Sequence, residues 1–134
     1  MIGVEPVRIL FALRVQPPFD RLDNRELLLI AGHARMRSYA PGRLILAGGA
    51  VAEALVVRTG GSAETGGAPA PAIFDAPGLL FGLAARADYV AGADGLEAIV
   101  IAKPHVFTLA RECPEFVAGL RDLAGAGRGA GAAA

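Results

Sequence analysis

The chain has 134 residues, 54% of them hydrophobic, and equal numbers of basic and acidic residues, 13 of each. A chain of this length suits a single domain with one core. Because 28 of the hydrophobic residues are alanine and another 18 residues are glycine, we expect a small, mainly aliphatic core. The balanced charge provides no basic stripe to neutralise phosphates, which argues against DNA binding by this chain alone.

The sequence also argues against membrane insertion and export. No run of about 18 uninterrupted apolar residues is present, so no membrane span is expected. Glu5, Arg8 and Arg14 interrupt the apolar N-terminal stretch, unlike the core of a signal peptide. Cys113 is the single cysteine, which excludes an internal disulfide and favours a buried structural thiol. We therefore expect a cytoplasmic protein.

The N-terminal part has the pattern of two helices. Pro6 suits an early helical position, and the apolar residues Ile9, Leu10 and Leu13 follow at helical spacing. The segment "QPPFD" ends this helix, because the α region is disfavoured for the residue before each proline. Asp23 and Glu26 then form a capping-box pattern that predicts the start of a second helix.

The middle of the chain has the pattern of short strands. "RLIL" and "EALVVRT" are strand-like segments, and a glycine pair ends each of them. "LEAIVIA" over 96–102 is a third strand-like segment. We predict that "SAETGGAPAPA" is a loop. Strands at intervals of about ten residues, separated by glycine turns, indicate a small β-sandwich or roll. The predicted class is mainly β, an antiparallel roll with flanking helices.

Two short helices and a tail complete the chain. "KPHVFTLARE" predicts a helix with Pro104 in its first turn, and Pro114 begins another after a break. The Gly/Ala segment 125–134 is predicted to be disordered, which leaves one domain over 1–124. The apolar residues of the first and last helices either pack internally, the more common outcome, or form a homodimer face; they are Ile9, Leu10, Leu13, Val117 and Leu120.

The order of these segments over about residues 17–123 resembles the cyclic nucleotide-binding domain family. The stretch "PPFDRLDNRELLLIAGHARMRSYAPGRLIL" is similar to the family's opening, with a capped helix and then Tyr-x-x-Gly. "GGAVAEALVVRTGG" is similar to its glycine-bounded strand, and "AKPHVFTLARECPEF" to its strand-to-helix hinge. The resemblance implies an antiparallel β-roll that regulates other proteins rather than catalysing a reaction.

The resemblance places the family's phosphate-binding cassette on "IFDAPGLLFGLAARADYV", residues 73–90. In the family, a Gly-Glu pair opens a short helix and an arginine follows ten residues after the glutamate. The helix N-terminus and the arginine hold the cyclic phosphate, and the glutamate accepts the ribose hydroxyl. The candidate site residues here are Phe74, Asp75, Ala76, Pro77, Gly78, Leu79, Arg86 and Ala87.

This cassette departs from the family pattern at several positions. Aligned on Arg86, Asp75 takes the place of the glycine, Ala76 replaces the glutamate, and Ala87 offers no hydroxyl. The resemblance therefore implies a degenerate site. Three roles for Arg86 stay open: an ion pair with Asp75 or Asp88, contact with a different anion, or ordinary binding of cyclic AMP or cyclic GMP.

Other chemistry has little support in the sequence. His33 and His105 lie in different helical segments, without the additional ligands that a zinc or iron site needs. Cys113 sits at a break between helices, an unfavourable position for a nucleophile. We expect no enzyme activity, no cofactor and no metal.

The sequence therefore favours a non-catalytic regulatory or adaptor module with altered or lost nucleotide binding and output through a partner protein. The alternative is a working receptor that uses Arg86 to bind a cyclic nucleotide or another small phosphate ligand.

Overall fold

The computed structural model of the chain describes residues 4–122, which form a curled antiparallel sheet with helices before and after it. In chain order the elements are α1 (Val4–Arg14), a 3-10 turn (Phe19–Arg21), α2 (Asn24–Ala31), β1 (Ala34–Tyr39), β2 (Leu44–Leu46), β3 (Ala54–Thr65), β4 (Ala68–Pro69), α3 (Ala76–Phe81), β5 (Tyr89–Ala102), α4 (Lys103–Glu112) and α5 (114–122). The predicted fold class is confirmed. The tail over 125–134 and the predicted domain boundary at residue 124 lie outside the described residues.

The sheet is organised around β5, which pairs antiparallel with β1, β2 and β3. The strand order is β1-β5-β3-β4, with β2 also on β5. The two long strands, β3 with 12 residues and β5 with 14, run side by side. Their register shifts between Arg58 and Gly60 and again between Gly61 and Ala63. Such bulges increase local twist and bend, so they allow one pair of strands to curl into a roll.

The two backbones come very close at the second bulge. Gly61 and Gly95 both have positive φ, +72° and +75°. A Cβ atom on Gly61 would lie 2.2 Å from the carbonyl oxygen of Gly95. Glycine is required here both for the backbone conformation and for the space.

The prediction that Gly60 and Gly61 end a strand is wrong, as is the prediction of a loop over the whole of "SAETGGAPAPA". β3 continues through both glycines to Thr65, because the bulges absorb the unusual backbone conformation within the strand. The turn lies later, at Gly66 and Gly67, with φ of +59° and +78°, and leads into the short strand β4.

The two faces of the sheet bury two separate apolar clusters. Leu55, Val57, Ile99 and Ile101 face the helices and belong to the larger cluster. Alternate residues on the same strands point into the roll, where they form the smaller cluster with Phe74; they are Val56, Ala63, Ala91, Leu96 and Ala98. Strand periodicity of two thus supplies both cores from one strand pair.

The helices pack on the larger cluster as their patterns predicted. The Asp23 side chain accepts the Glu26 N–H at 2.8 Å and Glu26 accepts the Asp23 N–H at 3.2 Å, so the capping box is confirmed. Ile9, Leu10, Leu13 and Leu120 are buried within the chain, so these four residues pack internally. None of the described helices has the length and apolar character needed to cross a membrane.

Two glycines with similar φ values test the close approach at the bulge. Gly61→Ala and Gly67→Ala both place a side chain at positive φ, a conformation that costs about 1–2 kcal/mol. Only Gly61→Ala also meets another backbone, since nothing lies within 4 Å of a Cβ on Gly67. We expect Gly61→Ala to lower the free energy of unfolding clearly more than Gly67→Ala, as measured by urea denaturation. Equal losses would contradict the close-approach argument.

Candidate functional site

The candidate cassette begins at Phe74, which is anchored inside the roll. Its side chain is 1% exposed and its ring stacks on Tyr89, with centroids 5.1 Å apart. Its backbone N–H donates to the carbonyl of Val56 at 3.0 Å. The start of the cassette is therefore fixed against both long strands.

Asp75 turns the chain into α3. It has φ of +45° and ψ of +52°, a left-handed conformation that aspartate tolerates better than most residues. Its Oδ1 accepts the N–H of Gly78 at 3.2 Å, and its Oδ2 is buried. A Cβ atom on Gly78 would lie 2.1 Å from that Oδ2. The carboxylate of Asp75 thus lies directly over the first turn of α3.

The first turn of α3 therefore has few donors for an external anion. Pro77 has no N–H, the Gly78 N–H binds Asp75, and the Leu79 N–H donates to the Asp75 carbonyl at 3.2 Å. Ala76 is 4% exposed and brings no side-chain acceptor to the place where the resemblance implies a glutamate. A negative side chain already interacts with the positive end of this short helix.

The end of the cassette is held by the loop after β2. The Ala85 N–H donates to the Ala50 carbonyl at 2.8 Å, and the Gly49 N–H donates to the Ala85 carbonyl at 2.8 Å. The Gly48 N–H donates to Oδ1 of Asp88 at 2.7 Å. These three bonds fix the backbone on both sides of Arg86.

The side chain of Arg86 itself points into solvent. Arg86 is exposed and Ala87 is half-buried. Within residues 4–122, Arg86 forms no side-chain hydrogen bond and no ion pair within 4.0 Å. The ion pair with Asp75 or Asp88 is therefore not formed: Asp75 caps α3, and Asp88 accepts the Gly48 N–H. The fold brings Phe74 to Leu79 together in one turn and presents Arg86 separately.

A cavity of about 300 Å³ lies beside the cassette rather than within it. It extends under the loop after β2, and its lining includes Val56, Phe74 and Val100, with Arg37 and Glu53 as the charged members. Phe74 is the single cassette residue in this lining. Arg86 therefore does not face this space.

The two histidines meet although they are far apart in the sequence. The rings of His33 and His105 are stacked, with centroids 4.5 Å apart and planes 23° apart, and both residues are exposed. Stacked imidazoles direct their ring nitrogens along near-parallel planes, a poor geometry for sharing one metal ion. Within the described part of the chain, no three His, Cys, Asp or Glu residues are grouped as a metal site requires.

Cys113 lies buried where α4 ends. Burial raises the pKa of its thiol, and the neighbouring Glu26 carboxylate raises this pKa further by its charge and a hydrogen bond. The thiol stays protonated at neutral pH, and because the thiolate is the reactive form, Cys113 is a structural residue rather than a nucleophile.

The environment of Cys113 predicts slow alkylation. At pH 8 we expect iodoacetamide to modify the folded chain at least tenfold more slowly than the chain unfolded in urea, as followed by mass spectrometry. Since the pKa is raised in the folded state, the folded and unfolded rates should differ most below the ordinary thiol pKa, and the difference that remains at higher pH reports the burial of the thiol. Equal rates at pH 8 would show that the thiol is accessible and ionised.

Because Asp75 caps a helix and Arg86 is exposed, we expect a substitution of Asp75 to lower stability and a substitution of Arg86 to leave it nearly unchanged. Asp75→Ala removes a cap and leaves alanine in a left-handed conformation, which we expect to cost about 2 kcal/mol of unfolding free energy. Arg86→Ala removes an exposed side chain and should change stability by less than about 0.5 kcal/mol. Urea denaturation of both variants checks this. A large loss in Arg86→Ala would reveal a structural role for the arginine.

Two features of the site were not predicted from the sequence. The hydrogen bond from the Gly48 N–H to the Asp88 side chain joins residues that are far apart in the sequence, and no local sequence pattern predicts it. The capping role of Asp75 did have a local signal, because an aspartate three residues before Gly78, with Pro77 between them, is an N-terminal capping pattern.

The structure is similar to several solved structures. A candidate cyclic nucleotide-binding protein from Geobacter metallireducens matches with a TM-score of 0.71 and 20% identity, over 94% of this chain and 95% of that one. The regulatory subunit of a cAMP-independent protein kinase A from Trypanosoma brucei matches with a TM-score of 0.74 and 18% identity, over 90% of this chain and 48% of that one.

The regulatory domain of Toxoplasma gondii protein kinase A, solved with cAMP, matches with a TM-score of 0.69 and 16% identity, over 89% of this chain and 48% of that one. The chain spans about half the length of these two kinase proteins. No family model and no curated protein matches the sequence. On this structural likeness, the chain has the cyclic nucleotide-binding domain fold.

Proposed function

We propose that the chain is a non-catalytic regulatory or adaptor module that has lost ordinary cyclic nucleotide binding and acts through a partner protein in the cytoplasm. The observation that carries this proposal is the position of Asp75. Its carboxylate caps the helix whose N-terminus would receive a cyclic phosphate, and of the backbone N–H groups of residues 77–79 one is absent and two are occupied.

Two physical costs oppose nucleotide binding. A phosphate at the start of α3 would meet the negative charge of Asp75, which at close range costs on the order of 1 kcal/mol or more. A ribose hydroxyl buried against Ala76 would lack an acceptor, at a cost of about 1–3 kcal/mol. Together these costs lower affinity by roughly 30- to 700-fold, since each 1.4 kcal/mol is about tenfold.

One of the similar solved structures offers a parallel for the two parts of the proposal, a regulatory role and the loss of dependence on a cyclic nucleotide. The regulatory subunit from Trypanosoma brucei has this fold and belongs to a protein kinase A that is described as cAMP-independent. A variant of that subunit with three substitutions, one of which introduces an arginine, was solved with cAMP bound. Its likeness supports the idea that this fold can serve regulation without cAMP.

One observation favours the alternative, a receptor for a phosphate ligand. Arg86 is exposed and forms no ion pair within residues 4–122, so its guanidinium is available to an anion. Arginine binds phosphate oxygens through paired donors. Under this alternative, Arg86 would hold the phosphate while the ribose goes unrecognised.

Isothermal titration with cyclic AMP and cyclic GMP distinguishes the two functions. For the unmodified chain we expect no binding heat up to millimolar ligand, because of the charge of Asp75 and the missing acceptor at Ala76. Micromolar binding that disappears in Arg86→Ala would overturn the proposal and establish the receptor.

A cassette without the charge of Asp75 provides the matched control. Asp75→Gly removes the charge and keeps a residue suited to positive φ, and Ala76 is left unchanged because it is buried in the larger apolar cluster, where a glutamate would be an unpaired charge. Because the charge of Asp75 costs on the order of 1 kcal/mol, we expect Asp75→Gly to bind cyclic AMP roughly fivefold more tightly than the unmodified chain, and to lose this gain when Arg86→Ala is added. Thermal denaturation shows whether each variant is folded.

A further inference from the structure

The outer side of the N-terminal helices carries apolar residues that the rest of the described chain leaves uncovered. Phe11 is 59% exposed, Val15 79%, Val7 40% and Leu28, on α2, 37%. Val7, Phe11 and Val15 are spaced four residues apart, so Val7 and Phe11 share one side of α1 and Val15 continues the line just past its end. We call these residues, with Arg8 and Arg14, the α1–α2 face.

Direct contacts connect the two helices across this face. The guanidinium of Arg14 lies over the ring of Phe11, 5.7 Å from its centroid, and also donates a hydrogen bond to Asn24 at the start of α2. Leu28 follows Asn24 by four residues and so lies on the same side of α2. The exposed apolar residues therefore form one surface over a pair of packed helices.

The charge of this surface has one sign. Arg8 and Arg14 are exposed beside Phe11. The acidic residues of the two helices point elsewhere: Glu5 accepts the Met36 N–H of β1 at 3.2 Å, and Glu26 accepts the Asp23 N–H in the capping box. The face therefore combines an apolar ridge with two arginines that form no ion pair within 4.0 Å among residues 4–122.

From this surface we infer that the α1–α2 face is the docking site for an amphipathic helix of a partner protein, with acidic residues flanking the apolar side of that helix. The inference rests on the proposed function, because it names the surface through which a module without a nucleotide ligand would act. Apolar residues at i, i+4 and i+8 form a ridge along α1 that can pack against the apolar side of a second helix, and the arginines select acidic neighbours.

The same residues argue against a second copy of this chain as the occupant. If two α1 helices paired antiparallel about Phe11, Val7 would meet the partner's residue 15, but Arg8 would meet the partner's residue 14. Those are two arginines, and like charges facing each other across an interface are unfavourable. The charges of the α1–α2 face thus fit an acidic partner better than a second copy of this chain.

Selection from a display library of helical peptides with randomised surfaces tests the inference on the whole chain. We expect the selected peptides to carry apolar residues at helical spacing flanked by Asp and Glu. By fluorescence anisotropy, Phe11→Ala and Arg8→Glu should each weaken their binding at least tenfold, and binding should weaken as salt rises. Both changed residues are exposed, so the variants should fold, which circular dichroism checks.

Matched variants elsewhere make the result specific. Phe107→Ala removes another exposed phenylalanine, on α4, and Arg43→Glu reverses an exposed charge in the turn before β2. Neither should change peptide affinity by more than twofold. Failure to select any peptide, selection of basic peptides, or binding that is indifferent to Phe11→Ala would overturn the inference.

Two further measurements test the other possible occupants of the α1–α2 face, a membrane and a second copy of this chain. If phosphatidylserine vesicles bind the chain through Phe11 and Arg8 while no peptide does, the face binds membranes and the inference is wrong. If sedimentation equilibrium shows a dimer that Phe11→Ala dissociates, the occupant is a second copy. The nucleotide titration is independent of all these results, so the proposed function and the docking site can fail separately.

Discussion

The pairing of β3 with β5 is the interaction on which the rest of the structure depends. These two strands contribute alternate residues to both apolar clusters, and β1, β2 and β4 are attached to one or the other of them. The pair can bend into a roll because Gly61 and Gly95 let the backbones approach where the register shifts. A side chain at Gly61 would push against the backbone of the neighbouring strand, so this glycine is needed for the curvature.

The turn that begins the cassette is stabilised by a residue of the chain itself. A helix N-terminus favours negative charge, and Asp75 supplies that charge from within the chain. The turn is thus complete in itself: Phe74 is anchored in the roll, Asp75 caps α3, and Gly78 leaves room for the carboxylate. The carboxylate of Asp75 already interacts with this helix end, whereas Arg86 is exposed and forms no ion pair in the described part of the chain.

The helices around the sheet are joined by contacts between residues distant in sequence. The rings of Phe19 and Phe116 pack with their centroids 5.2 Å apart, and the Glu26 carboxylate lies close enough to Cys113 to raise the pKa of its thiol. The stacked His33 and His105 join the end of α2 to the start of α4. These contacts hold the C-terminal helices against the N-terminal ones and leave the opposite side of α1 uncovered. The exposed, basic and apolar α1–α2 face is a consequence of that arrangement.

The sequence by itself determined the features whose cause is local. The capping box of Asp23 and Glu26, the helix breaks at proline and the alternating strands all depend on residues a few positions apart, and they sufficed to predict a β-roll with flanking helices. Only the tertiary structure decided that β3 runs through Gly60 and Gly61, because that depends on where Gly95 lies. It also decided that Asp88 binds Gly48 rather than Arg86, and that Phe11 is exposed while Ile9 and Leu13 are buried. Hydrophobic spacing predicts which side of a helix is apolar. Whether a given apolar side chain is buried depends on packing against helices and strands that are distant in the sequence.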